Sequence, residues 1–302
     1  MVAGDLAPKT IVIFGITGTQ GSSVARSFVS QSGWTMHGVT RKPSSPAAVQ
    51  WEMPGIEIAY GDLDDAESLC KALRGANIVF GVTDFWQHLK DPKALIDAVA
   101  ATLPDLERFI ISTLSSARDA SEGAIDFNLH FDSKAEMLKH LKKRYPELWA
   151  KTSLLTLGCY AGNWKLYKDG AGRPGKIDDG VYKIYLPRDG DTPLPFVEPN
   201  ADTDPFVKAL LNLLSGTNLV EAGSPISWAE WCNIWGRVND VKCTFERQDL
   251  FEEHSYCGVD GKNVVYPWDL SFKVKYTTME EYIQSQDWDS VLCPEGGIVE
   301  AP

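Results

Sequence analysis

Gly15-Ile-Thr-Gly18-Thr-Gln-Gly21 directly follows the apolar run Thr10–Phe14 and opens a segment with Val24, Ala25, Phe28 and Val29 at helical spacing. Glycines between a strand and a helix permit a tight turn and close approach of a pyrophosphate. The helix N-terminus then supplies free N–H groups and the positive end of a dipole. A second feature stands at the end of the next predicted strand. A site for an unphosphorylated ribose usually has an Asp or Glu about 20 residues past the glycines. Here Thr40-Arg41-Lys42 occupies that place, and no carboxylate occurs between Asp5 and Glu52. Two cations without an anion suit a 2′-phosphate, which arginine can hold through two parallel hydrogen bonds. A solvated turn is the plainer reading of Arg41 and Lys42, but an acid-free window in a chain with 41 acidic residues speaks against it. The pattern predicts NADP(H) as the cofactor, in preference to NAD(H).

These residues need a scaffold that brings strand ends together. Short β-type runs alternate with helical runs over the first half: strands at 10–14, 34–40, 56–60, 77–82, 108–113 and 152–157, helices at 19–31, 65–73, 92–103 and 130–144. Continuous apolar runs such as Thr10–Phe14 fit strands buried on both faces of a parallel sheet. The alternation predicts right-handed βαβ units and a Rossmann-type doubly wound α/β sheet. After Gly158 the texture changes, with frequent Gly and Pro, and then helices at 204–214 and 279–286. Ser227-Trp-Ala-Glu230 reads as a capping box opening another helix. The expected division is a Rossmann domain over 1–158 and a smaller α+β C-terminal lobe over 159–302, its chain interwoven with the first and resting on the strand C-termini.

Composition narrows the function further. A net charge of −12 disfavours direct nucleic-acid binding. Six scattered cysteines (70, 159, 232, 243, 257 and 293) form no CxxC pair, so neither a disulfide framework nor a zinc site is expected, and a reducing compartment is. The first ten residues lack a signal-peptide core and no run reaches the 18 apolar residues of a membrane span. The expectation is a cytoplasmic protein with a nuclear share left open.

Phe14-Gly-Ile-Thr-Gly-Thr-Gln-Gly21, Thr40-Arg41, Gly61-Asp62-Leu-Asp-Asp65, Val82-Thr-Asp-Phe-Trp86, His130-Phe-Asp-Ser-Lys134 and Gly158-Cys-Tyr-Ala-Gly-Asn163 run in one order over about the first 165 residues. In this the chain resembles the NmrA-like family, atypical members of the short-chain dehydrogenase/reductase superfamily that include both NADP-responsive regulators and working reductases. The resemblance implies that Gly15, Ile16, Thr17, Gly18, Thr19 and Gln20 cradle the pyrophosphate and that Arg41, with Ser45, holds the 2′-phosphate. It implies that Asp62 and Leu63 border the adenine, that Thr83, Asp84 and Phe85 line the cofactor, and that Lys134 reaches the nicotinamide ribose. Tyr160 to Asn163 would flank the nicotinamide, although the segment departs from the family's commoner acidic-Asn ending.

Typical short-chain dehydrogenases place a tyrosine four residues before the lysine, on one helix face. Here His130 holds that position. Histidine can donate a proton near neutral pH, so His130, Lys134 and Ser112 (at the end of the fifth strand, where a serine would hold a substrate carbonyl) form the candidate catalytic set. A solvated His/Lys face is the alternative. Seven of the ten tryptophans follow Tyr145; Trp228, Trp231 and Trp235 repeat at helical spacing and are expected to pack against the Rossmann domain. Phe85, Trp86, Trp164 and Tyr167 are candidates to wall an apolar pocket for an aromatic small molecule. The leading reading is an NADPH-dependent oxidoreductase acting on an apolar or aromatic carbonyl or quinone. A dinucleotide-sensing regulator that binds protein partners, a redox-neutral isomerase or lyase, and a homodimeric state stay open.

Overall fold

The computed structural model describes residues 8–29, 31–83, 93–126, 128–165, 172–186, 188–247 and 265–292. In chain order the elements are β1 (Lys9–Phe14), α1 (Thr19–Phe28), β2 (Trp34–Thr40), α2 (Pro46–Val49), β3 (Ile56–Tyr60), α3 (Ala66–Ala72), β4 (Ile78–Gly81) and α4 (Ala94–Ala100). Next come β5 (Arg108–Thr113), α5 (Ala117–Ala120), α6 (Leu129–Arg144), α7 (Pro146–Ala150), β6 (Thr152–Leu157), β7 (Cys159–Tyr160), β8 (Gly175–Asp178), β9 (Val181–Leu186) and β10 (Leu194–Val197). The chain continues through α8 (Pro199–Asn212), β11 (Asn218–Glu221), β12 (Ser224–Ile226), α9 (Trp228–Val238), β13 (Lys242–Arg247), α10 (Met279–Ser285) and α11 (Asp289–Leu292). They fall into two compact units. One comprises residues 1–157, 199–220 and 257–274; the other comprises 158–198, 221–256 and 275–302.

The first unit is built on a seven-stranded sheet in the order β11-β6-β5-β4-β1-β2-β3. Its strand pairs β1–β2, β1–β4, β2–β3, β4–β5 and β5–β6 are parallel. Period-two alternation explains why β1 is apolar throughout. Val12 and Phe14 face one layer with Leu69, Leu95, Val99, Met137 and Leu141. Ile11 and Ile13 face the other, with Val24, Phe28, Phe206 and Leu210. Both faces are thus covered by helices, as the doubly wound expectation requires.

Besides the short helices α2, α5 and α7, two features were not legible. β11 joins the sheet as a seventh strand, four residues long and too short to announce itself by periodicity. Helix α8 starts at Pro199, five residues before the expected Asp204, and runs through Pro205. A proline inside a helix has no N–H for the carbonyl four residues back, so a start beside it was the local expectation. Packing prevails: Phe206, Val207 and Leu210 are buried, the Asp204 N–H donates to Ser23 Oγ of α1 at 3.2 Å, and Arg26 donates to Asn200 Oδ1 at 3.1 Å.

The far end of α8 is closed by Arg108 of β5. Its guanidinium donates to Ser153 Oγ at 2.9 Å and to the carbonyls of Leu210 and Leu213 at 3.1 Å. Terminal carbonyls carry the negative end of the helix dipole and need donors. Partial burial lowers the Arg108 pKa from its usual value without discharging it. Arg108→Ala is expected to destabilise the protein by about 1.5–3 kcal/mol, the range for hydrogen bonds to charged groups, seen as a lower midpoint in urea unfolding.

The second unit holds two three-stranded sheets, β12-β10-β7 and β13-β9-β8. The Ser227/Glu230 capping box is formed, with Glu230 N–H to Ser227 Oγ at 3.1 Å and Ser227 N–H to Glu230 Oε2 at 2.8 Å. Trp228, Trp231 and Trp235 of α9 pack in this unit's own core with Tyr182, Phe196, Tyr282 and Trp288. Among the described residues no helix is long and apolar enough to cross a membrane.

Candidate functional site

Strand β1 is flanked by β2 on one side and β4 on the other. The chain therefore winds outward in opposite directions from it, and the crevice beyond the carboxyl ends of β1 and β4 is the topological switch point where open α/β sheets receive ligands. Gly15 is the first residue past β1. Its φ of +66° lies in the left-handed region, which only glycine enters without strain. Its N–H donates to Val39 O at 3.1 Å, and its carbonyl accepts from Gly18 N–H at 2.8 Å. Ile16 is fully buried and packs over Gly38 of β2, where a Cβ would meet its Cδ1 at 2.2 Å. Thr17, Gly18 and Thr19 are exposed, whereas Gln20 is buried.

Gly21, inside the first turn of α1, fixes how closely helix and loop approach. A Cβ there would lie 2.2 Å from Gly15 O and 2.5 Å from Gly15 C. The N-cap, Gly18, offers no side-chain cap, and the first turn holds no acid. An anion at this end would therefore meet backbone N–H groups and a positive dipole end with no carboxylate opposing it.

Arg41 and Lys42 are exposed just past β2. Ser45 N–H donates to Lys42 O at 3.0 Å, so the two cations and Ser45 share one turn, and Ser45 is the N-cap of α2. The Gly61–Asp65 segment folds into a turn before α3. Asp62 Oδ1 accepts from Asp64 N–H at 3.1 Å, and Asp62 N–H donates to Ser68 Oγ at 2.9 Å. Asp65 caps α3 through the Ser68 N–H, and Leu63 is buried in the core. Thr83, past the end of β4, is buried. Asp84, Phe85, Trp86 and Tyr167 lie outside the described residues.

Lysines are among the residue types least often buried, yet Lys134 of α6 is only 8% exposed. Lys134 itself therefore does not stand on a solvated face. His130, one turn earlier, is half-buried. Burial and then the Lys134 charge lower its pKa below the ordinary 6.5, with Asp132 acting in the opposite direction. Folding therefore favours the neutral imidazole. The unfolded chain binds this proton more tightly than the folded one, so stability rises with pH through the window below 6.5 and is lost as pH falls through the lowered folded value. His130→Gln is expected to flatten that part of the pH dependence of the melting temperature.

Ser112 is fully buried in β5, opposite Leu155 of β6, and its hydroxyl makes no hydrogen bond among the described residues. Ser115 and Ser116 follow beyond the strand, also buried. Ser116 accepts from Asp119 N–H at 3.0 Å, capping α5, and reaches Asp132 Oδ1 of α6 at 3.4 Å. Asp132 Oδ1 also accepts from Arg118 N–H at 3.1 Å. The roles of Ser116 and Asp132 were missed in the sequence, although Ser116-Ala-Arg-Asp119 has the spacing of an N-terminal cap.

In the second unit, Tyr160 pairs with Val197 across β7–β10, and Tyr160 and Asn163 are part-exposed. Trp164 is buried, stacked on Trp288 with ring centroids 4.2 Å apart, and its Nε1 donates to Tyr282 Oη at 3.3 Å. Burial pushes the Tyr282 hydroxyl up to about 12.

A doubly wound parallel sheet with a glycine loop at its switch point defines a Rossmann-type α/β protein. Residues 7–252 match the NmrA-like family, and the chain belongs to it. The NmrA-like family domain-containing oxidoreductase notA of Aspergillus sp. (strain MF297-2) is 27% identical over 221 residues, covering 67% of this chain and 63% of that protein. The match thus spans less than two thirds of that relative's length. Among solved structures, NmrA, a negative transcriptional regulator in complex with NAD, superposes with a TM-score of 0.73 at 17% identity, covering 93% of this chain and 95% of that one. AtPrR2 with NADP+ and (+)-pinoresinol superposes with a TM-score of 0.65 at 18% identity, covering 92% and 98%.

Proposed function

We propose that this protein is an NADPH-dependent oxidoreductase that reduces an apolar or aromatic carbonyl or quinone-type small molecule. The residues of the first unit fit a dinucleotide: a glycine cradle that a Cβ would fill, an uncapped and acid-free helix end, and two cations in the turn after β2. Gly15 to Gln20 would bind the pyrophosphate through backbone N–H groups, and Arg41 with Ser45 the 2′-phosphate. Asp62 and Leu63 would border the adenine and Thr83 to Phe85 the cofactor's middle. When bound, NADPH supplies a hydride. Lys134 would orient the ribose, Ser112 the substrate carbonyl, and His130 or water would supply the proton. The oxidoreductase relative supports redox chemistry, and the pinoresinol-bound neighbour supports a small-molecule substrate of aromatic type.

The observation that carries an enzymatic reading is the burial of Lys134 one turn after His130. A non-catalytic NADP(H) sensor is favoured by a different one: His130, standing where a tyrosine acid is usual, holds its proton weakly. Loss of NADPH absorbance on mixing with a panel of aromatic ketones and quinones separates the two. Turnover with any member supports the reductase. Tight NADPH binding without consumption of any acceptor would replace it with the sensor.

A further inference from the structure

Helix α6 carries His130 and Lys134 in its first two turns, but its own N-terminus does little to hold it in place. The N-cap, Asn128, makes no side-chain cap hydrogen bond. The turn after β5 must nevertheless keep a fixed distance from α6 if groups on both are to act on one molecule. The contacts that do this converge on Asp132.

We propose that Asp132 is a positioning residue that locks the first turn of α6, with His130 and Lys134, onto the turn that follows β5; the functional part of this inference rests on the dinucleotide reading above. Asp132 Oδ1 accepts the Arg118 N–H at 3.1 Å and the Ser116 hydroxyl at 3.4 Å. Ser116 in turn accepts the Asp119 N–H at 3.0 Å, so one carboxylate oxygen gathers the start of α5. A second clip lies further along α6: Lys139 Nζ bridges Asp119 at 2.7 Å and Glu136 at 2.9 Å. The two differ in kind. The Lys139 bridge joins side chains each at least 41% exposed, and such pairs contribute little. Of the Asp132 contacts, the one to the Ser116 hydroxyl is partly buried and the one to the Arg118 N–H is exposed, but a charged acceptor on a backbone N–H is among the stronger hydrogen bonds.

Asp132 Oδ2 is the second independent observation. It is buried and has no hydrogen-bond partner among the described residues. A buried carboxylate oxygen without a donor costs free energy. A residue chosen for stability alone would not need to leave one oxygen so. Placement at a functional centre accounts for it, since strain and unsatisfied groups concentrate there.

The test compares Asp132→Ala, Asp132→Asn and Lys139→Ala in the full chain. Amide hydrogen exchange at Arg118 is read on the free protein, and NADPH affinity by tryptophan fluorescence. Asp132→Ala is expected to speed Arg118 exchange at least tenfold and to weaken NADPH binding at least tenfold. Asp132→Asn keeps an acceptor oxygen and is expected to restore both to within about threefold of wild type. Lys139→Ala is expected to leave NADPH affinity unchanged. Unaltered Arg118 exchange in Asp132→Ala overturns the lock, whatever the cofactor. Faster exchange with unaltered NADPH affinity overturns its functional role. Should the wild type bind no dinucleotide, the cofactor reading fails separately, and the exchange measurement still decides the lock.

Discussion

Gly21→Ala is expected to abolish measurable NADPH binding and to lower the melting temperature. The added Cβ would stand 2.2 Å from Gly15 O, 2.5 Å from Gly15 C and 2.9 Å from Ile16 N. All three are backbone atoms, so no side chain can rotate away. The helix must then retreat from the loop, or the loop must refold. Either movement displaces the Gly15 turn, which is held by the Gly15 N–H to Val39 O and Gly18 N–H to Gly15 O hydrogen bonds. Overpacking of this kind typically costs about 1–3 kcal/mol. The stability loss should therefore be moderate, with the fold retained, while the affinity loss should be at least hundredfold, because the N–H groups of the first turn no longer converge on one point. Gly55→Ala serves as the control. Gly55, unlike the helical Gly21, has a positive φ, and a Cβ there meets nothing within 4 Å, so its substitution should affect stability and leave binding intact. Equal binding by wild type and Gly21→Ala, measured by calorimetry, would remove the glycine cradle from the account.

Lys134→Met is expected to weaken NADPH binding by about tenfold to hundredfold and to eliminate any reductase activity, with the fold unchanged. Methionine keeps most of the buried stem and removes the ammonium. Hydrogen bonds to charged groups contribute about 1.5–3 kcal/mol, which sets the affinity range. The ammonium also lowers the proton affinity of His130. In Lys134→Met the His130 imidazole should therefore titrate at higher pH than in wild type, a shift visible by NMR without any ligand. A mutant that unfolds instead would assign Lys134 a structural role.

The sheet was legible because its strands obey one rule. β2, β3, β5 and β6 fall at the residues their mainly apolar runs mark, since strands of a parallel sheet covered by helices read as largely apolar runs. Helices α1, α3, α4 and α6 were legible to within three residues from apolar residues at helical spacing and from their end signals, whereas the short α2, α5 and α7 were not. The glycine loop was readable because Gly15 and Gly21 answer to local constraints, a positive φ and a close backbone approach. What the sequence could not convey depends on contacts between distant segments. β11 is recruited by pairing at the edge of β6, and α8 begins at Pro199 because α1 offers Ser23 and Arg26 as partners. The burial of Lys134 was likewise hidden: a His/Lys pair one turn apart reads the same whether it faces water or protein. Trp228, Trp231 and Trp235 announced a helix face, but the surface they cover proved to be the second unit's own core. Trp164 joins that core through Trp288 and Tyr282, so its packing alone explains why it is there.

Tryptophan fluorescence titration with NADPH, NADP+, NADH and NAD+, on the wild type and on Arg41→Ala, tests the central claim most directly. The account predicts that the two phosphorylated cofactors bind at least tenfold more tightly than the other two, and that Arg41→Ala weakens them about tenfold to hundredfold, the worth of a charge-assisted phosphate contact, while leaving NADH and NAD+ nearly unchanged. Equal binding of all four by the wild type, or a loss in Arg41→Ala shared by all four, would contradict it.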